Sequence, residues 1–100
     1  MDLGLAGKNV LVMGGASNIG RAISLTFAGE KANVVVGDWD DQQAEKTASD
    51  ITKLGVKGLA VKTDVTSWDS VQGTVKKAID ELGSLDILVN NAGWAVDRLF

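Results

Sequence analysis

The chain has 100 residues and a formal net charge of −3, and its composition, 45% hydrophobic and 23% charged, is that of an ordinary globular domain. It contains no cysteine, histidine or tyrosine, which excludes disulfides, thiolate metal sites, most zinc sites, and catalysis by an imidazole or a phenol within these residues. It also lacks a basic stretch interleaved with aromatics, an apolar run of about 20 residues and a signal-like leader, so we expect a cytoplasmic, soluble chain that binds neither nucleic acid nor a membrane.

Short apolar runs alternate with segments of helical periodicity. Runs at residues 10–13, 34–37, 59–61 and 87–89 predict four strands, and the first is apolar throughout, which is typical of a strand buried on both faces. Helical spacing predicts a helix after each of the first three runs. The predicted apolar stripes are Ile19, Ala22, Ile23, Thr26 and Phe27 in the first helix, Ala44, Ala48, Ile51 and Leu54 in the second, and Val71, Val75, Ala78, Ile79 and Leu82 in the third.

Individual residues indicate where the later helices begin and end. The second helix is predicted to start at about Asp40, and Gly55 fits a left-handed residue after its last turn. Thr66, with Asp69 three residues later, predicts the N-cap of the third helix.

The alternation of strands and helices predicts an α/β fold: one domain over residues 1–100 with a Rossmann-type, doubly wound parallel sheet, βαβαβαβ, in strand order 3-2-1-4. The fourth strand is then the last in the sheet. Residues 87–89 nevertheless carry no charge, proline or alternation, the features that usually protect an edge strand. We therefore expect that another element pairs there, or that the native protein continues beyond Phe100 as an extended Rossmann fold.

A glycine-rich turn connects the first strand to the first helix. It reads Gly14, three further residues, Asn18, one residue, and Gly20. Such a turn lets the backbone approach a phosphate, and the helix N-terminus offers free N–H groups and the positive end of the helix dipole. Taken alone, the turn is explained equally well as a tight connection. It lacks the Gly-Lys-Ser/Thr sequence of a P-loop.

Asp38 directly follows the second predicted strand, eighteen residues after Gly20. An acidic residue about 20 positions beyond the glycines is expected to bind the adenosine ribose of a dinucleotide. The carboxylate would accept hydrogen bonds from both ribose hydroxyls and repel a 2′-phosphate, and its neighbours in the sequence include no Lys or Arg, which favours NAD over NADP. The alternative is that Asp38 only caps the next helix.

Five segments together resemble the amino-terminal half of the short-chain dehydrogenase/reductase family. They are residues 6–8 (Ala-Gly-Lys), residues 14–20, Asp38, Asp64 with Val65, and residues 90–93 (Asn-Asn-Ala-Gly), and the last is the most specific. The resemblance covers essentially the whole chain. It implies an extended Rossmann fold that uses NAD or NADP as a hydride carrier.

The resemblance also implies cofactor-binding roles by position. The residues that would line the pyrophosphate are Gly14, Ser17, Asn18, Ile19 and Gly20. Asp38 would hold the adenosine ribose, Asp64 and Val65 would meet the adenine, and Asn91, Ala92 and Gly93 would pass beside the cofactor ribose. The alternatives are that Asp64 is a turn residue before the third helix and that Asn90 and Asn91 are structural amides at the strand end.

Three residues depart from the family pattern. Met13 stands where the family usually has Thr, Asn18 replaces its middle glycine, and Lys31 replaces a glycine that often ends the first helix. Asn tolerates a left-handed backbone better than other non-glycine residues, so we expect the turn to form with altered phosphate contacts.

The tryptophans carry weaker expectations. Trp39 either stacks near the adenine or packs on the second helix as a hydrophobic staple. Trp94 resembles a residue of family members that act on cyclic acyl-CoA esters, although packing is the simpler interpretation. Trp68 is expected to pack.

The function implied by the resemblance is that of an NAD-dependent oxidoreductase that interconverts a secondary alcohol and a ketone. Its substrate would be a small molecule, and an acyl-CoA ester is one option. The family's catalytic Ser, Tyr and Lys belong to its second half, so no catalytic residue is assigned here, and no metal site is expected. Family members commonly form tetramers, which implies a homo-oligomer, tetramer or dimer, in full-length form. The alternatives are a non-catalytic dinucleotide-binding module and a Rossmann-like methyltransferase. Such methyltransferases usually carry an acidic residue just before their glycine loop, whereas residues 10–13 of this chain are apolar.

Overall fold

The computed structural model describes residues 4–16 and 18–91, and the structural statements below concern these residues. Their strands and helices follow one another in the predicted order. The elements are β1 (Asn9–Met13), α1 (Asn18–Gly29), β2 (Asn33–Asp38), α2 (Asp41–Lys53), β3 (Gly58–Lys62), α3 (Trp68–Leu82) and β4 (Ile87–Asn90).

The four strands form one parallel sheet in the order β3-β2-β1-β4, which confirms the predicted Rossmann-type topology. Met13 at the end of β1 is paired in register with Gly37 of β2 and with Asn90 of β4. On the other side of β2, Asp38 is paired with Lys62. The carboxyl ends of all four strands therefore meet at one edge of the sheet, where the turns after them come together.

The continuous apolar runs of the inner strands are explained by helices on both faces of the sheet. Val10, Val12, Val34 and Val36 face α1 and α2, where Ile51 is fully buried against them. On the other face, Leu11, Met13 and Val35 pack with Ala78 of α3. All of β1 is buried, as expected for a strand covered on both faces.

The buried side of α1 differs from its predicted stripe. Its buried residues are Gly20, Ser24 and Ala28, whereas Ile19 is 68% exposed. Ile23 and Phe27 are partly buried against the core, and the other two predicted residues, Ala22 and Thr26, are exposed. The helix presents small residues because it lies so close to the turn after β1 that a Cβ atom on Gly20 would overlap the carbonyl oxygen of Gly14.

The other two helices follow their predicted stripes more closely. In α2, Ala44, Ala48 and Ile51 are buried as predicted, but Leu54 at the C-cap is 40% exposed. In α3, Ala78 is buried together with the unpredicted Thr74, and Val71, Val75 and Leu82 are packed against the core, whereas Ile79 is 42% exposed.

The predicted N-cap of α3 is wrong by one residue. The cap is Ser67, whose side chain accepts a hydrogen bond from the backbone N–H of Ser70 at 3.2 Å. Thr66, one residue earlier, instead donates from both its hydroxyl and its N–H to the Asp64 carboxylate. The left-handed residue predicted after α2 is confirmed, since Gly55 has a φ of +90°.

A chain of amide side chains crosses the amino edge of the sheet. The buried Asn9 side chain donates to the carbonyl of Leu82 and to the hydroxyl of Ser84, and it accepts a hydrogen bond from Asn33 at 2.9 Å. Asn33 in turn accepts from the backbone N–H of Lys57. These bonds tie the loops of the amino edge together.

β4 lies at an edge of the sheet as predicted, with Leu88 57% exposed. Together with α3 it forms an apolar groove of about 500 Å³ that includes Trp68, Val71, Val75, Ile79 and Leu88. Trp68 is 72% exposed, so the expectation that it packs is not met within the described chain. The helices of residues 4–16 and 18–91 are too short or too polar for any of them to cross a membrane.

Candidate cofactor site

The carboxyl end of β1 lies between the carboxyl ends of its two neighbours, β2 and β4. The chain leaves β1 toward β2 on one side, and β4 pairs on the other side, so this is the topological switch point of the sheet. Ligands of open α/β sheets bind at such a point, outside the carboxyl ends of the strands. The glycine-rich turn predicted from the sequence begins here.

Gly14 starts the turn with a positive φ of +75°, a conformation that favours glycine. Its N–H donates to the carbonyl of Gly37 at 2.6 Å, which continues the β1–β2 ladder into the turn. Gly20 closes the turn, because its missing side chain lets α1 rest on the Gly14 carbonyl. Both glycines are therefore required by the local geometry.

Side chains from α1, α2 and β2 form hydrogen bonds with the backbone of the turn. The Ser24 hydroxyl of α1 lies 3.3 Å from the carbonyl oxygen of Gly15. The Thr47 hydroxyl of α2 donates to the carbonyl oxygen of Ala16 at 3.4 Å. The Asp38 carboxylate accepts from the N–H of Ala16 at 3.1 Å. Met13, which stands where the family usually has Thr, is itself buried in the apolar core.

Ser24 and Thr47 were missed by sequence reasoning. Each is a fully buried polar residue on the inner side of its helix. A hydroxyl on an otherwise apolar helix stripe is the signal that points to such a role, because a buried polar group requires a hydrogen-bonding partner.

The N-terminus of α1 faces this turn and retains its positive electrostatic character. Asn18, the first residue of α1, has a φ of +49°, so it adopts the left-handed backbone expected of it. The first turn of the helix contains no acidic residue that would neutralise the dipole. Its first N–H groups have no partner within the helix, as at any helix start. A glycine-rich turn beside a helix N-terminus without a neighbouring acidic residue fits the pyrophosphate of a dinucleotide.

Asp38 is half-buried at the end of β2, and each of its oxygens accepts one backbone hydrogen bond. One comes from Ala16 and the other from Asp40 at 2.9 Å. The helix cap is Asp40, which accepts from Gln43 at 3.1 Å, so the alternative that Asp38 caps α2 is wrong. A carboxylate oxygen has more than one acceptor direction, which leaves Asp38 with capacity for ribose hydroxyls.

Trp39, the next residue, is 66% exposed and does not act as a staple on α2. Its ring instead lies under the ammonium group of Lys62, 4.6 Å from the ring centroid. The expectation that no cation lies near Asp38 therefore requires correction, because it considered neighbours in the sequence only. Lys62 is the register partner of Asp38 on the adjacent strand.

Asp64 is anchored in the turn between β3 and α3. Its carboxylate accepts from the hydroxyl of Thr66 at 2.6 Å and from the N–H of Thr66 at 2.9 Å, and these bonds hold the pKa of Asp64 below its usual value. Asp64 is therefore a turn residue, as the alternative had it, and it remains ionised and able to accept a further hydrogen bond. The adjacent Val65 is 38% exposed.

Asn91 connects β4 to the turn. Its N–H donates to the carbonyl of Met13 at 2.9 Å, and its side-chain amide donates to the carbonyl of Gly14 at 3.4 Å. Asn91 therefore links the end of β4 to the turn, which is a structural role for its amide. The predicted site residues Ser17, Ala92 and Gly93, together with Trp94, lie outside the described residues.

The described part of the chain holds no cluster of three or more His, Cys, Asp or Glu side chains arranged for a metal ion. The carboxyl edge of the sheet presents backbone N–H groups, a fixed carboxylate and an exposed aromatic ring. Groups of these kinds can bind a nucleotide.

Comparison with known proteins identifies the family. The family model described as short chain dehydrogenase matches residues 8–100. General stress protein 39 of Bacillus subtilis (strain 168) is 43% identical over 90 residues, which are 89% of this chain and 32% of that protein. The 7alpha-hydroxysteroid dehydrogenase of Escherichia coli (strain K12) is 39% identical over 99 residues, which are 99% of this chain and 39% of that protein.

A solved structure agrees with the sequence comparison. NAD⁺-bound xylitol dehydrogenase matches with a TM-score of 0.86 and 36% identity, over 90% of this chain and 35% of that one. The chain therefore belongs to the short-chain dehydrogenase family. It spans between about a third and two-fifths of the length of the curated relatives it matches.

Proposed function

We propose that this chain is the NAD-binding part of an oxidoreductase that interconverts a secondary alcohol and a ketone. The observation that carries the proposal is the bond between Asp38 and Ala16, because it fixes a carboxylate beside the glycine-rich turn. A dinucleotide requires this combination: backbone N–H groups for the pyrophosphate, and a carboxylate at the end of the second strand for the ribose.

Each part of the site then has a separate task. The residues proposed to line the pyrophosphate are Gly14, Ser17, Asn18, Ile19 and Gly20. Asp38 accepts hydrogen bonds from the adenosine ribose. Trp39, Asp64 and Val65 surround the adenine, where the ionised Asp64 accepts a hydrogen bond from the adenine amino group. Asn91, Ala92 and Gly93 lie beside the cofactor ribose nearest the reacting carbon.

NAD, when bound, supplies the hydride acceptor for the oxidation of an alcohol carbon. The residues of this chain bind and orient it but contribute no general acid or base of the phenol or imidazole type, because the sequence contains no Tyr or His. We therefore expect the 100-residue chain to bind NADH and to show no turnover with alcohols. A small-molecule alcohol or ketone as substrate, a homo-oligomeric full-length form and a cytoplasmic location belong to the same proposal.

Equilibrium binding of NADH to the purified chain tests the proposal. Replacing Asp38 by Asn keeps the shape of the side chain but removes its charge, so NADH binding should weaken by about tenfold or more, the scale of a lost charge-assisted hydrogen bond. Asp80→Asn on the exposed face of α3 is the matched control and should bind like the parent chain. Equal NADH affinity in the parent and Asp38→Asn would contradict the ribose-binding role of Asp38. Displacement of NADH by S-adenosylmethionine would favour the methyltransferase alternative.

A further inference from the structure

Lys62 occupies an unexpected position at the ribose end of the candidate site. It is paired in register with Asp38, so a cation and an anion leave adjacent strands at the same edge of the sheet. The two do not form an ion pair, however. Within residues 4–16 and 18–91 the ion pairs join Arg21 to Asp50, Lys53 to Asp50 and Lys76 to Asp80.

The Lys62 ammonium lies instead over the ring of Trp39, 4.6 Å from its centroid. A cation within about 6 Å of an indole face is attracted by the ring, and Trp is the most effective aromatic residue in this respect. Trp39 is 66% exposed, so little else restrains this ring. The ring and the ammonium therefore restrain each other, and the ammonium stays outside ion-pair distance of the Asp38 carboxylate.

This arrangement bears on the choice between the two dinucleotides. A 2′-phosphate would lie close to Asp38, which cannot turn away because backbone N–H groups of Ala16 and Asp40 bind its two oxygens. Binding of a 2′-phosphate would need a cation that reaches the same place. Lys62 is a register neighbour with a long flexible side chain, which can supply that cation.

We propose that Trp39 is a specificity-determining residue that holds Lys62 away from the ribose, so that the charge of Asp38 excludes the 2′-phosphate of NADPH. The inference rests on the proposed NAD site and goes beyond it, because it assigns discrimination to a Trp–Lys pair in addition to the acidic residue. Removing the ring frees the ammonium and admits NADPH more readily.

The test compares the dissociation constants of NADH and NADPH for the parent chain and for Trp39→Ala, Trp39→Phe, Lys62→Met and Trp39→Ala/Lys62→Met. Any direct contact between Trp39 and the adenine affects both dinucleotides alike and cancels in the ratio of the two constants. Trp39→Ala should reduce the preference for NADH about three- to fivefold, the scale of an exposed ion pair gained. Trp39→Phe, which keeps a ring, should retain most of the preference.

The double variant distinguishes the mechanism from a simple loss of bulk. Without Lys62 the gain in NADPH binding should disappear, and the ratio should return to that of Lys62→Met alone. Trp68→Ala, which removes another exposed Trp that is not part of the Trp39–Lys62 pair, should leave the ratio unchanged. A Trp39→Ala ratio equal to that of the parent, or a gain that persists without Lys62, would overturn the inference.

The two proposals fail in different ways. A parent chain that binds neither dinucleotide overturns both, whereas normal NADH binding with an unchanged ratio in Trp39→Ala overturns only the Trp–Lys mechanism. The NMR shift of the Lys62 ε-methylene in the free protein gives an independent reading. It should move toward the value of an unstructured lysine in Trp39→Ala, and an identical shift in both proteins would contradict the contact.

Discussion

Gly20 rests directly on the carbonyl oxygen of Gly14, with no room for a side chain between them. This contact sets how closely α1 approaches the end of β1, and it places the helix N-terminus at the switch point of the sheet. The small residues on the buried side of α1 follow from the same approach. The pyrophosphate site proposed here depends on that distance.

Replacing Gly20 by Ala should therefore disrupt the turn. The new Cβ would overlap the Gly14 carbonyl and lie 2.9 Å from the Asn91 side-chain nitrogen, so the helix or the turn must shift. We expect a loss of about 1–3 kcal/mol in the free energy of unfolding, the usual cost of overpacking, and weaker NADH binding.

Gly73→Ala in α3 is the matched control for Gly20→Ala. A Cβ there has no neighbour within 4 Å, so the substitution should raise the free energy of unfolding by about 0.5–1 kcal/mol through helix propensity. Urea unfolding followed by circular dichroism measures both variants. Equal effects of the two substitutions would contradict the close contact.

Thr47 should matter to the cofactor site although it lies in α2. Its hydroxyl accepts from the Arg21 guanidinium at 3.0 Å and donates to the Ala16 carbonyl at 3.4 Å. Thr47→Val keeps the shape but removes both bonds, so we expect a loss of about 1 kcal/mol in stability together with weaker NADH binding. Thr52→Val in the same helix is the control, because the Thr52 hydroxyl bonds only to the α2 backbone. The account fails if both variants bind NADH equally well.

The Asn9 side chain joins the connection after α3 to Asn33 of β2, at the edge of the sheet opposite the site. Asn9→Leu should lower the free energy of unfolding by about 1–3 kcal/mol. The substitution removes hydrogen bonds made by a buried side chain and leaves partners such as the Asn33 amide without them. NADH affinity should be unchanged among the molecules that remain folded, since the substitution lies at the amino edge. Calorimetric unfolding with and without NADH separates the two effects, and a specific loss of affinity would contradict this division of the molecule.

Acid should weaken the link between α1 and α2. The hydrogen bond from Arg21 lowers the pKa of Asp50 in the folded chain. The corresponding stabilisation is fully present above the ordinary Asp pKa of about 4 and is lost as the pH falls through the lower, folded pKa. The free energy of unfolding of Asp50→Asn should thus lie below that of the parent at neutral pH, and the two should converge in acid. When Arg21 is replaced by Met, the effect of Asp50→Asn on the free energy of unfolding should be smaller. An effect of Asp50→Asn in the parent that stays constant from pH 7 to pH 3 would contradict the linkage.

The sheet could be predicted from the sequence because its signals are local. Strands buried on both faces appear as unbroken apolar runs, and the helices between them require parallel neighbours in one order. Asn18 and Gly55 could be placed in the left-handed region for the same reason, since few residue types tolerate that backbone.

The remaining features depend on contacts between distant segments. The predicted stripe of α1 was right only for Ile23 and Phe27, which pack partly against the core. The fully buried positions of α1 hold small residues because of the close approach at Gly14. The cap of α3 is Ser67, whereas Thr66 binds the distant end of the same turn, the Asp64 carboxylate. The contact between Lys62 and Trp39 joins side chains of different segments through the strand register, which the sequence pattern does not reveal.

The most direct test of the central claim is an amide NMR titration of the isotope-labelled chain with NADH. The account predicts shifts centred on the glycine-rich turn, the N-terminus of α1, and the amides of Asp38 and Asp64, with residues 76–80 of α3 unaffected. Asp38→Asn should require markedly more NADH for the same shifts. An absence of shifts at saturating NADH, or shifts centred on the groove between α3 and β4, would contradict the assignment of the carboxyl edge as a dinucleotide site.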